Sequence, residues 1–276
     1  MSFAKHIVDE NTGECTHLVH KLVINRNTAK LTNYYFTEKN FERFVERPAL
    51  GTAVGHRRKG VQGKYHAKAS RQTRIRRKEM LRNAVYNNFS RDNCRFLTLT
   101  FDPKKHSATD REVCHRLFRA FIRNLKHYYD GLCYLAVMER QEGSQNWHIH
   151  LLINVTDCKQ EEFSKLWHCG FMRCETVKNM AELCRYLTKD FHELEEYEHA
   201  VLCSRNLNKP ITIKEWKCHD GSFDRFIAEH LDGKVPVYRS HSSNDWVGDL
   251  TYSQYRLDTP VIEFLPAATR IRDIKG

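Results

Sequence analysis

No stretch of this 276-residue chain is long and apolar enough to cross a bilayer. The longest apolar runs, such as LCYLAVM (132–138), fall far short of the roughly 20 residues a membrane helix needs. The opening MSFAKHIVDENTGEC offers no apolar segment of the kind an export signal requires, so the expectation is a cytoplasmic protein without a membrane partner. CxxC pairs are missing too. The ten cysteines are scattered, which argues for reduced thiols and against a disulfide scaffold or a zinc ribbon. The nearest zinc-like group, His168, Cys169 and Cys174 in HCGFMRC, lacks a clear second half. There is no GxxxxGK[ST] phosphate loop, no internal repeat and no low-complexity linker, so any DNA unwinding has to come from another enzyme.

Carboxylates are scarce in one place. Between Gly55 and Tyr86 the chain holds eleven Lys or Arg and a single acid, Glu79, which accounts for nearly all of the net charge of +11. Concentrated charge of this kind suits a phosphate backbone better than a generally solvated surface, and Arg57, Arg58, Lys59, Lys64, Arg71, Arg74, Arg76, Arg77 and Lys78 are the candidate DNA contacts. At 41% apolar residues the chain can still bury a core.

The order of elements predicts an α+β fold. RFLTLTF (95–101) alternates like a strand; TDRE (109–112) is a capping box ahead of a helix carrying Val113, Leu117, Phe118, Phe121, Ile122 and Leu125. LCYLAVMERQ and WHIHLLINV read as two strands joined by EGSQN. Next come a helix at KQEEFSKLWHC, a strand at FMRCETV and a helix from about Asn179 with Met180, Leu183, Cys184, Leu187 and Phe191 as its buried stripe. The expected architecture is a central antiparallel sheet with helices packed on one side. Upstream, THLVHKLVI reads as a strand, EKNFERFV as a helix and 70–88 as a basic helix; downstream, KVPVYRS and LTYSQYRL read as short strands. The expected division is an N-terminal extension (1–54), a basic DNA-contacting segment (55–90), a core (91–215) and a C-terminal extension (216–276).

The chemistry concentrates in NWHIHLLINV (146–155). On a strand, His148 and His150 share one face while Trp147, Ile149, Leu151 and Ile153 take the other. Buried imidazoles need partners, and two side by side suit a metal ion. Glu139 joins them only if the hairpin register pairs 139 with 148 or a neighbour of matching parity; a slip of one residue removes it. Two histidines and a carboxylate fit Mg²⁺ or Mn²⁺ with open positions. On the following helix Tyr186 lies off the buried stripe with Lys189 one turn on. A phenol with a pKa of about 10 needs a polarised electrophile and a nearby cation to act as a nucleophile.

FLTLTF, WHIHLLI and RYLTKDF, in this order, resemble the three motifs of HUH endonucleases, and in particular the rolling-circle replication initiators of small phages and plasmids. The resemblance covers about residues 90–212 and includes LCSRNLNKP (202–210). It implies an HUH core of the ferredoxin-like kind, in which His148, His150 and Glu139 hold a divalent metal on the scissile phosphate. Tyr186 would be the nucleophile that stays linked to the 5′ phosphate, and Lys189 its assistant. It also implies origin single-stranded DNA as substrate, a 3′-OH primer as product, a host helicase and polymerase as partners, and the bacterial cytoplasm as location. Where many phage-type initiators carry a second tyrosine, this chain has Asp190 and Phe191, so a single-tyrosine enzyme is the simplest expectation. The alternatives are a non-catalytic nucleic-acid binder, in which the basic segment does the work, and an HUH relaxase or transposase.

Overall fold

The computed structural model describes residues 5–8, 15–46, 71–157, 159–192, 201–217, 220–244 and 248–274. They form helices and antiparallel sheets in an α+β arrangement of two compact units, Met1–Lys64 with Pro210–Ile262, and Tyr65–Lys209 with Glu263–Gly276. Each hydrophobic cluster lies within one unit.

The first unit begins with strands β1 (Lys5–Val8), β2 (Cys15–Asn25) and β3 (Thr28–Thr37), then helix α1 (Glu38–Glu46). β2 and β3 form a hairpin in register from Thr16↔Thr37 to Asn25↔Thr28. On one sheet face Phe41 and Phe44 of α1 pack with Val19, Tyr34 and Phe36.

The second unit is built on α2 (Arg71–Asn88), β4 (Arg95–Thr100), α3 (Arg111–Tyr128), β5 (Tyr129–Asp130), β6 (Tyr134–Arg140), β7 (Trp147–Ile153), α4 (Gln160–Leu166), β8 (Met172–Glu175), α5 (Met180–Leu187) and β9 (Val201–Cys203). Five strands pair antiparallel in the order β8–β4–β7–β6–β9, so the histidine strand is central. Helices cover both faces, which corrects the expected one-sided packing. Phe118, Phe121, Ile122 and Leu125 of α3 and Phe163 of α4 meet Ile149, Leu151 and Ile153 on one side. Leu81 and Val85 of α2, with Leu183, Cys184 and Leu187 of α5, meet Leu135, Val137 and Leu152 on the other. Helical periodicity shows that a stripe is buried but not which face of a sheet receives it. Burying each such Leu or Phe contributes about 1.5–3 kcal/mol.

Two local details also differ from the sequence expectation. The cap of α3 is Asp110, whose carboxylate accepts from Glu112 N and Val113 N, and Thr109 stands one residue before it. Helix α5 ends at Leu187, and Lys189 belongs to a 3₁₀ turn, Lys189–His192.

Asparagines fasten the segments that return to this sheet. Asn154, fully buried, accepts from Cys133 N and donates to the Gly131 and Pro266 carbonyls. In the LCSRNLNKP segment, Asn208 N donates to Asn88 Oδ1 at 2.6 Å and Asn88 Nδ2 returns a bond to Asn208 O. Ser204 Oγ accepts from Tyr134 N, and Asn206 donates to Leu132 O. The polar pattern of that segment therefore satisfies backbone groups that a folded interior cannot leave unpaired.

The first unit resumes with β10 (Ile211–Lys214), α6 (Ser222–Phe226), β11 (Tyr238–Asn244) and β12 (Gly248–Arg256). Its sheet runs β1–β2–β3–β12–β11, with β10 also paired to β2. Phe223, Phe226 and Leu231 cover Leu22, Ile24 and Ala29 on the face opposite α1. The final strand, β13 (Thr269–Arg270), pairs with β5 in the second unit.

Candidate metal centre

The site is assembled on the central hairpin. β6 and β7 pair in the register Val137↔His150, Glu139↔His148, which puts the carboxylate and both imidazoles on one face. The loop holds that register: Gln141 N donates to Asn146 O at 2.8 Å, and Gly143 takes φ +85°, a conformation that favours glycine. The neighbouring strand β4 opposes Thr98 to His150 and Thr100 to His148.

Three donor atoms converge. His150 Nε2 lies 3.1 Å from His148 Nε2 and 3.0 Å from Glu139 Oε2, and His148 Nε2 lies 3.6 Å from the same oxygen. Among the described residues this is the one group of three His, Cys, Asp or Glu side chains placed to hold a metal ion. The donor set fits such an ion. Cis edges of a six-coordinate cation with ligands about 2.1 Å away are roughly 3 Å long. His150 Nε2 is also within 3.0 Å of the Tyr186 hydroxyl, so one ring nitrogen faces three partners and cannot serve them all with one proton or one lone pair.

His150 is buried, and burial, against the pull of the Glu139 hydrogen bond, lowers its pKa from the usual histidine value. The imidazole is thus held neutral near pH 7, as a ligand must be. Its Nδ1 is buried with no hydrogen-bond partner among the described residues. Stacking takes the orienting role instead: Phe96 lies against the ring at 5.6 Å and 15°.

Tyr186 arrives from α5. Asn179 caps that helix, accepting from Ala181 N and Glu182 N, and the apolar stripe seats it on the sheet. The side chain of Tyr186 falls beside the stripe, 41% exposed, with its ring 4.8 Å from that of His150. Lys189 joins the cluster from the 3₁₀ turn. Its Nζ is 2.7 Å from Glu139 Oε1 and 4.8 Å above the Tyr186 ring. The five residues singled out in the sequence, Glu139, His148, His150, Tyr186 and Lys189, therefore meet in one place.

The basic candidates divide. Arg57, Arg58, Lys59 and Lys64 lie outside the described residues. Arg71, Arg74, Arg76, Arg77 and Lys78 lie on α2, Arg71 and Arg76 exposed and the others half-buried, on a helix that packs against α5 and the 3₁₀ turn bearing Lys189. One residue escaped the sequence reading. Thr98 opposes Arg173 of β8, so Phe171, two residues earlier, stands on the histidine face beside Thr100, whose amide donates to its carbonyl. It is 66% exposed. The signal was an aromatic at the start of FMRCETV on the parity of the histidine face, but its parity is defined only once β8 is paired to β4.

Comparison with known proteins supports the same region. Residues 94–191 match the family model of the Replication-associated protein ORF2 type, a rolling-circle replication-associated family. No curated protein and no solved structure matches the chain. Among the described residues no helix is long and apolar enough to cross a membrane.

Proposed function

We propose that this chain is an HUH endonuclease that nicks single-stranded DNA at a replication origin and initiates rolling-circle replication. The observation that carries the reading is the Tyr186 hydroxyl 3.0 Å from His150 inside the Glu139–His148–His150 cluster, within the stretch that matches the replication-associated family.

Glu139, His148 and His150 would hold Mg²⁺ or Mn²⁺, which supplies Lewis-acid polarisation of a phosphoryl oxygen. The chain's own groups do the rest. Tyr186 Oη attacks phosphorus; the P–O3′ bond breaks, the phenolic proton passes to solvent, and the departing 3′ oxygen takes up a proton. The products are a 5′-phosphotyrosine and a 3′-OH able to prime synthesis. Lys189 places a positive charge above the ring, which lowers the cost of the phenolate, and its contact with Glu139 fixes the orientation of that carboxylate. Phe171, exposed on the same face, offers a base a surface to stack on. Basic α2 provides a phosphate-tracking surface. Host helicase and polymerase would complete the replication cycle.

The test incubates the purified protein with circular single-stranded DNAs, including the cognate replicon, and Mn²⁺, and seeks a protein–DNA adduct on a denaturing gel. The expected adduct disappears with EDTA and with Tyr186→Phe. Tight, salt-sensitive binding that ignores EDTA and yields no adduct would instead mark a non-catalytic binder.

A further inference from the structure

In the unit formed by Met1–Lys64 and Pro210–Ile262, five strands lie side by side in the order β10–β2–β3–β12–β11. Their registers fix which side chains share a face. One lateral row reads Lys214, Lys21, Thr32, Tyr252, Ser240. The adjacent row on the same face reads Thr212, Val23, Lys30, Gln254, Tyr238. Arg256, two residues past Gln254, extends it. Helix α1 packs farther along this face, over Val19 and Phe36.

The two rows and Arg256 carry four cations, Lys21, Lys30, Lys214 and Arg256, and the face has no carboxylate from any of the five strands. Their one acid, Asp249, stands on the opposite face near His241. Lys21 and Lys214 are direct cross-strand partners, and Lys30 is diagonal to Lys21. Like charges set opposite each other destabilise a sheet, and a solvated face would ordinarily mix signs. A bound polyanion removes the penalty. The aromatic residues answer the other half of the requirement: Tyr238 is 56% exposed and its ring is 6.0 Å from that of Tyr252, edge to face. Thr32, Gln254 and Ser240 set hydrogen-bonding groups between the cations and the rings.

We propose that this face is a second binding surface for single-stranded DNA, in which Lys21, Lys30, Lys214 and Arg256 hold phosphates and Tyr238 and Tyr252 stack on bases. The choice of DNA as the strand rests on the function proposed above; the complementarity to a phosphodiester chain does not. The surface lies in a different unit from the metal centre, so the two can be tested separately.

The measurement is fluorescence anisotropy of a 5′-labelled oligo(dT) of twenty nucleotides, in EDTA across a salt series, with full-length protein carrying Tyr186→Phe. Adding Lys21→Gln, Lys30→Gln and Lys214→Gln should weaken binding at least about tenfold at low salt and reduce the log–log salt slope by about 2, three phosphates at about 0.7 each. Arginine at the same three positions should restore both. The urea midpoint of the glutamine variant should hold or rise, because a like-charge pair is gone. Ultraviolet crosslinking of a bromodeoxyuridine-substituted strand to the protein without lysine substitutions should map to peptides containing Tyr238 or Tyr252. Unchanged affinity and slope, crosslinks confined to the other unit, or loss of oligo(rU) binding with oligo(dT) binding retained would each overturn the proposal. An adduct with an unchanged slope defeats this surface and leaves the nicking reading intact; a changed slope without an adduct does the reverse.

Discussion

At the residue scale, Lys189 holds two roles that pull in opposite directions. Its ammonium neutralises Glu139 across 2.7 Å, and that competes with any cation bound between Glu139 and the histidines. The same charge sits 4.8 Å over the phenol that has to ionise. Lys189→Gln should therefore tighten Mn²⁺ binding severalfold and slow adduct formation by roughly tenfold or more, the cost of about 1.4 kcal/mol in the barrier. Calorimetric Mn²⁺ titration and single-turnover kinetics read the two effects apart. Weaker metal binding in the variant would show that Lys189 acts by positioning Glu139. The five centre residues were legible in the sequence because strand parity and one hairpin register fix three of them, and helical spacing places Tyr186 off the buried stripe. Lys189 reaches the cluster by a different path, since the helix has already given way to a 3₁₀ turn.

At the scale of elements, the end of β4 and the entry to β8 are fitted backbone against backbone. A Cβ on Gly170 would run into the Thr100 carbonyl oxygen and would lie 2.8 Å from Thr100 C and 2.9 Å from Asp102 N. None of these can rotate away. Gly170→Ala should cost about 1–3 kcal/mol or more, as overpacking does. Because Thr100 opposes His148, the shift should also weaken Mn²⁺ binding. Urea denaturation and metal titration of this variant check both; a wild-type midpoint would mean that β4 yields freely there. The approach of Gly170 to Thr100 spans 70 residues and leaves no trace in local periodicity. The same holds for the first unit, where β12 pairs with β3 from Asp249↔Tyr35 to Arg256↔Thr28. Strands such as RFLTLTF announce themselves by alternation. β3 does not, because eight of its ten residues are half-buried or exposed.

At the scale of the whole molecule, the two units have separate cores, and the candidate metal centre belongs to one of them. A ligand that binds only the folded form stabilises what it binds by RT ln(1 + [L]/Kd), about 2.7 kcal/mol at a hundredfold excess over Kd. Hydrogen exchange resolves where that energy goes, since amides report the opening of their own cooperative block. With Mn²⁺ added, amides of β6, β7 and β4 should exchange roughly a hundredfold more slowly, provided they exchange through opening of the whole unit. Amides of β2, β3 and β12 should keep their rates. Equal protection in both sets would mean that the units open as a single block, and that metal binding at His148, His150 and Glu139 is felt across the whole chain. Protection in neither would argue against a metal at the centre.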